Sequence, residues 1–261
     1  MIKLVVSDID GTLVPDGSNE INEELYDTIL KLRMKGIQFA AASGRQWASI
    51  EKIFEPIKEK IFYLSDNGAY IGCSGRNLFL NTIEPSLAKA LVADIRKNPE
   101  LIPMLGTTDE VYVDTDNEAF IHWLVDGYKF RVKKIDDLLK VEEPIIKVSA
   151  YRVDQIQEAT KNLVEIYGDQ LKMTISGEMW LDCMKLGVNK GEAVRLLQES
   201  LDITPQETMV FGDQLNDVEM MHQAYYSFAI GNARPEVKQA ARFEADTNVN
   251  DGVLKILKNL V

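Results

Sequence analysis

VVSDIDGTLV, residues 5–14, sets two aspartates, Asp8 and Asp10, just past an apolar run that begins at Leu4. Two carboxylates this close raise each other's pKa and cost stability unless positive charge lies between them. Asp and Gly are ordinary turn residues, so a plain polar turn is one reading. With average residue usage, however, a fixed D-x-D-G-T arises in roughly one chain of this length in several hundred. The other reading is a site at the end of a buried strand, which the rest of the chain must support.

The surrounding pattern alternates strands with helices. Residues 2–7 read as a strand, and 22–35 as a helix with Leu25, Ile29 and Leu32 on one side and Gly36 as its stop. Further strands are expected at 37–42 and 61–64, with a helix carrying Trp47, Ile50, Ile53 and Phe54 between them. This is the rhythm of βαβ units and a parallel sheet. Near Thr82 it changes. A helix (86–97), short strands around 101–114, an amphipathic stretch (117–125), a strand (145–151), a helix (154–167) and two strands (172–176 and 179–184) joined through Gly177-Glu178 suggest a separate α+β module. After Leu186 the first rhythm resumes, with helices at 190–201 and 215–223, strands at 208–212 and 228–231, and a last helix near Asp251. The expected architecture is therefore α/β: a Rossmann-like parallel-sheet core, residues 1–81 and 186–261, interrupted by an inserted α+β domain, residues 82–185.

Composition narrows the function. The chain has 261 residues, 46% hydrophobic and 27% charged, as in a soluble globular protein. Its 29 Lys and Arg against 41 Asp and Glu give a net charge of −12, which disfavours nucleic acid and anionic membrane as partners. No apolar run approaches the ~20 residues of a membrane span, and a strand at Ile2 leaves no room for a signal peptide, so a cytoplasmic location is expected. Two cysteines, Cys73 and Cys183, make no disulfide framework. The two histidines, His122 and His222, lie in unrelated contexts, so chemistry must run on carboxylates, Lys, Ser and Asn. The S-x-x-K matches at 49–52 and 86–89 and SDN at 65–67 lack the K-T-G that would give them meaning, and glycine-rich dinucleotide and P-loop motifs are absent.

Three apolar strands of the core end in reactive polar residues: Asp8 and Asp10, then Ser43-Gly44-Arg45, then Asp213 with Asn216 and Asp217. In an open α/β sheet ligands bind beyond the carboxyl ends of the strands, so these residues should meet at one edge. Taken singly, Ser43 reads equally as a helix cap, and Asp213 and Asp217 as carboxylates favourable at a helix start. Lys190 opposes the dipole in a first helical turn, which suits either a solvated lysine or a phosphate site. Together the segments bring up to four carboxylates to one place. All-oxygen ligands of that charge point to a hard divalent cation, Mg²⁺. A metal, a lysine and hydroxyl donors make a site for a phosphoryl group. Paired aspartates then suit nucleophilic attack by one and proton transfer by the other.

DIDGT (8–12), SGR (43–45), NKG (189–191) and GDQLND (212–217) together resemble the four motifs of the haloacid dehalogenase-like phosphatases, in order along the whole chain. The insert resembles the cap of the Cof-like branch, MWLDCMKLGVNKG (179–191) its return to the core, and NGA at 67–69 fits as well. Lys185 stands where relatives often have proline, which bears on the cap linker. The resemblance implies Asp8 as nucleophile, Asp10 as acid and base, and Ser43, Gly44, Arg45, Lys190 and Asn216 around phosphate or substrate. It implies Mg²⁺ on the Asp8 carboxylate, the Asp10 backbone carbonyl and Asp213, with Asp217 orienting Lys190 or a metal-bound water. Glu178 and Trp180 are the candidates for specificity in the cap, Trp180 having an ordinary packing role as its other reading. The expected reaction is hydrolysis of small phosphorylated metabolites, sugar phosphates first, through a phosphoaspartate. A phosphomutase, a phospho-accepting signalling module and a silent sugar-phosphate binder are the alternatives, and oligomeric state is left open.

Overall fold

Burial on both faces makes β1 (Leu4–Asp8) the central strand: all five of its residues are buried. A computed structural model describes residues 1–15, 18–127, 130–176 and 178–261, the side chain of Ser176 excepted. They separate into two compact units, Met1–Phe79 with Asn189–Val261, and Leu80–Val188.

In the first unit β1 leads to α1 (Glu24–Met34), β2 (Gln38–Ala42), α2 (Trp47–Ile53) and β3 (Phe62–Ser65), then to β4 (Tyr70–Cys73) and β5 (Arg76–Leu80). The second unit holds α3 (Pro85–Ile95), β6 (Ile102–Gly106), β7 (Val111–Val113), α4 (Glu118–Asp126), β8 (Val132–Lys134), β9 (Lys147–Tyr151), α5 (Ile156–Ala159), α6 (Lys161–Tyr167), β10 (Leu171–Ser176) and β11 (Trp180–Lys185). The first unit resumes with α7 (Lys190–Leu201), β12 (Thr208–Gly212), α8 (Val218–Met221), β13 (Tyr226–Ala229), α9 (Pro235–Ala240), β14 (Phe243–Glu244) and α10 (Gly252–Leu257).

The first sheet runs β14-β13-β12-β1-β2-β3-β4-β5. From β14 to β3 every pairing is parallel, and β4 turns back antiparallel on β3. The expected parallel core is thus present, and its strands read as continuous apolar runs because helices cover both faces. On one face Leu4, Val6, Ala40 and Val210 pack with Ala193, Val194 and Leu197 of α7 and Met220 and Met221 of α8. Strand periodicity puts Asp8 on the same side as Leu4 and Val6, facing α7. The sequence reading missed β4 and β5, where Ser74 and Gly75 turn with positive φ, and the short edge strand β14.

The second unit builds a sheet of order β10-β11-β9-β6-β7-β8, antiparallel except where β7 meets β8. Ala88, Leu91, Val92, Leu163 and Tyr167 cover one face through Leu105, Val148, Ala150, Leu181 and Cys183. On the other, Phe120 and Leu124 of α4 bury Met104, Val111 and Val113. The helix expected over 154–167 is two helices: Thr160 intervenes, its hydroxyl donating to the Ile156 carbonyl at 2.7 Å. The helix expected over 215–223 opens as a 3₁₀ turn, Leu215–Asp217, before four α-helical residues, because Asp217 turns back to bond the loop before it. Gly177, in the hairpin expected between β10 and β11, lies outside the described residues. Among the described residues no helix is long and apolar enough to cross a membrane.

Candidate active site

Register decides which strand ends meet. Asp8 pairs with Ala42 and Ser7 with Phe211, so β12, β1 and β2 end side by side. Asp213, Asp8 and Ser43 follow from those ends. Asp8, Asp213 and Asp217 are buried, and an oxygen from each lies within 4.8 Å of the others.

Lys190 stands against this group as the first residue of α7, only 1% exposed. Asn189 caps the helix by accepting from the Glu192 N–H at 2.7 Å, which fixes where Lys190 leaves the backbone. The Lys190 ammonium donates to Asp8 Oδ1 at 2.5 Å and to Asp217 Oδ1 at 2.7 Å. Burial alone would lower the Lys190 pKa, but Asp217 and Asp8 outweigh it and hold the ammonium above its ordinary value. Burial pushes the Asp8 carboxyl well above the carboxylate range, Lys190 pulls it down, and the charges of Asp217 and Asp213 push it up again.

Asp217 spends its other oxygen on the backbone, accepting from the Asp213 and Gln214 N–H groups, each at 2.9 Å. Asp213 accepts from the Thr12 hydroxyl at 2.7 Å and from Gln214 Nε2 at 3.2 Å. Gly11 makes room for this: its φ is +81°, and a Cβ there would stand 2.3 Å from Asp213 Oδ2. Three buried carboxylates face one ammonium, a charge balance that suits a divalent cation. Asp217 is committed to Lys190 and two amides, so Asp8 and Asp213 are the carboxylates that could hold such an ion, with Thr12 orienting Asp213.

Asp10 sits past the strand, half-buried. Arg45 grips it with both arms of the guanidinium, Nε to Oδ2 at 2.8 Å and Nη2 to Oδ1 at 2.5 Å. Arg45 is itself tied to the Ser18 carbonyl at 3.0 Å and to the Asn19 side chain. Expected beside phosphate, its side chain is turned here to the aspartate. Ser43 is buried and accepts from the Arg45 N–H at 3.1 Å, while Gln46, not Ser43, precedes the first residue of α2. Asn216 is exposed and donates to Asn67 Oδ1 at 2.9 Å. Gly44 lies under Asn67, whose amide nitrogen would be 3.3 Å from a Cβ at that position. The residues that sequence reasoning left without a role are Thr12, Gln214 and Asn67. All three stood inside quoted stretches, DIDGT, NGA and GDQLND, but nothing in the sequence marked them for a role.

Glu178 and Trp180 belong to the second unit. Glu178 is exposed, its carbonyl accepting from the Ile156 N–H at 3.1 Å. Trp180 is half-buried, stacked on Trp123 at 5.9 Å with 6° between ring planes and packed on Tyr151 at 4.9 Å.

Comparison with known proteins gives the family of the chain. The sequence model of the haloacid dehalogenase-like hydrolases matches residues 5–257. The chain is 28% identical over its full length to the 5-amino-6-(5-phospho-D-ribitylamino)uracil phosphatase of Escherichia coli, covering 96% of that protein. It is 27% identical to the HMP-PP phosphatase of Cronobacter sakazakii, over 91% of this chain and 87% of the other. A crystal structure from Eubacterium rectale superposes with a TM-score of 0.96 at 33% identity, covering 100% of this chain and 99% of that one. A match of this extent makes the chain a member of the haloacid dehalogenase-like hydrolases, a phosphatase of their Cof-like branch.

Proposed function

We propose that this phosphatase is a cytoplasmic, Mg²⁺-dependent enzyme that hydrolyses small phosphorylated metabolites through a phosphoaspartate on Asp8. The observation that carries the reading is the buried group of Asp8, Lys190, Asp217 and Asp213 at the carboxyl ends of β1 and β12. Asp8 and Asp213, with the Asp10 backbone carbonyl, would hold Mg²⁺, which supplies positive charge to the phosphoryl oxygens and keeps Asp8 ionised. The Asp8 carboxylate attacks phosphorus, and the bond from phosphorus to the ester oxygen breaks as Asp10 hands that oxygen a proton. Asp10 then takes a proton from water, whose oxygen attacks the phosphoaspartate, freeing inorganic phosphate and restoring Asp8. Both Asp10 oxygens are held by Arg45, so proton transfer requires that this pair open.

Phosphorylated sugars and sugar alcohols are the substrate class that we favour. The Escherichia coli relative, by its name, acts on a phosphorylated ribityl chain. Residues 82–185 act in this reading as a cap that sets specificity, with Glu178 and Trp180 as candidates, while the chemistry stays in the first unit. The deciding experiment measures phosphate release from a panel of such metabolites with EDTA and with Mg²⁺, and looks for acid-stable labelling of Asp8. Full activity in chelator, or turnover by Asp8→Asn, overturns the mechanism.

A further inference from the structure

Three consecutive residues at the end of β3 have left-handed backbone: Asp66 (φ 47°), Asn67 (φ 53°) and Gly68 (φ 96°). Such conformations disfavour L-residues and persist only where surroundings hold them, often at functional sites. Here the surroundings are three of the proposed active-site segments. The Asp66 and Asn67 N–H groups donate to the carbonyls of Arg45 and Ser43, each at 2.9 Å, so the turn is laced to the 43–45 loop. Gly68 lies against the start of α7, where a Cβ would stand 2.7 Å from the Asn189 carbonyl oxygen, next to Lys190. The Asn67 side chain lies over Gly44 and accepts from Asn216 at 2.9 Å. Asn216 is exposed, and among the described residues this hydrogen bond is what holds its side chain.

We infer that the 66–68 turn is a positioning device for phosphate binding, in which the Asn67 amide sets Asn216 against the Ser43–Gly44 loop. The inference rests on the phosphatase site proposed above and adds a residue to it. A turn that only ended β3 would need its backbone and not the Asn67 amide. Asn67→Gly separates these roles, because glycine accepts φ 53° while losing the side chain. The readouts are KM, kcat and competitive inhibition by inorganic phosphate for the Mg²⁺-loaded wild type, Asn67→Gly, Asn216→Ala and the double variant, with urea midpoints alongside.

Asn67→Gly is expected to raise KM and the phosphate inhibition constant roughly tenfold, the scale of one well-placed hydrogen bond, with a smaller change in kcat. Because Asn67 acts through Asn216, the double variant should bind phosphate no worse than Asn216→Ala alone. Asn67→Ser gives the same comparison if the glycine variant folds poorly. An inhibition constant within about twofold of wild type for Asn67→Gly, or single losses that simply multiply in the double variant, overturns the inference while leaving the phosphatase reading intact. A wild type that neither releases nor binds phosphate overturns both.

Discussion

Lys190 Nζ donates to Asp8 Oδ1 at 2.5 Å across 182 residues of chain, in a position where both side chains are buried. A buried pair of this kind contributes little beyond what apolar groups would, but breaking it is costly because the orphaned charge stays buried. Lys190→Met leaves Asp8 and Asp217 facing each other without their ammonium. A loss of about 3–5 kcal/mol in unfolding free energy is expected, measured by urea denaturation without added metal, together with loss of phosphate release. A variant of wild-type stability would mean that the two carboxylates are not held charged by Lys190.

If Asp213 holds the proposed metal, affinity for it should depend on Thr12, which bonds the Asp213 carboxylate. Thr12 donates to Asp213 at 2.7 Å, and removing such an orienting partner commonly costs 10–100-fold in affinity, an order-of-magnitude figure. Thr12→Val should therefore raise the Mg²⁺ concentration for half-maximal activity by roughly that factor, with kcat at saturation changed less. Ca²⁺ should substitute poorly, since it takes looser coordination than Mg²⁺. An unchanged Mg²⁺ titration for Thr12→Val would separate Asp213 from the metal.

The two aspartates of the opening motif should fail differently. Asp8→Asn removes the proposed nucleophile and should leave no covalent intermediate in rapid-quench experiments. Asp10→Asn should retain metal and substrate binding but turn over roughly 10²–10⁴-fold more slowly. Arg45→Ala, which removes the pair that must open before Asp10 can transfer a proton, should still form the intermediate and turn over no more slowly than wild type at saturating substrate. Equal, near-wild-type rates for both aspartate variants would mean that both roles are wrong.

The second unit carries its own pH signature. Tyr167 donates to Asp94 at 2.7 Å, and burial followed by this ionised partner pushes the phenol up to about 12. Its unfolded value is about 10, so its contribution to stability is complete below about pH 10 and is lost as pH rises toward 12. Urea midpoints of wild type and Tyr167→Phe should differ by a constant amount up to about pH 10 and converge above it. A difference that is flat through that window would mean that the phenol is not held neutral by the fold.

Specificity is expected to follow the second unit. Glu178 is exposed and Trp180 half-buried among other rings, so Glu178→Gln and Trp180→Phe are the substitutions that spare the packing. Each should shift relative kcat/KM among sugar phosphates and leave hydrolysis of a small aryl phosphate nearly unchanged. A uniform collapse on all substrates, in folded protein, would move catalytic residues into this unit.

The sequence by itself determined the parallel core and the edge at which the chemistry collects. Leu4-Val5-Val6, the 37–42 run and the 208–212 run read as buried strands, and each ends in polar residues whose meeting follows from parallel topology. Local periodicity carries that much, because burial on two faces is written in consecutive residues. Pairing between charges is not. Whether Lys190 faces solvent or two aspartates depends on strand register, the face of β1 that Asp8 occupies and the cap at Asn189, all set by segments remote in sequence. The same holds for Arg45, which tertiary packing turns to Asp10, and for Asn67, whose left-handed turn only makes sense against the segments that grip it. Trp180 is likewise placed by Trp123, 57 residues earlier, through ring stacking that no short-range pattern encodes. Coulomb and hydrogen-bond energies change over ångströms in a buried site, and only the assembled sheet and helices set distances on that scale.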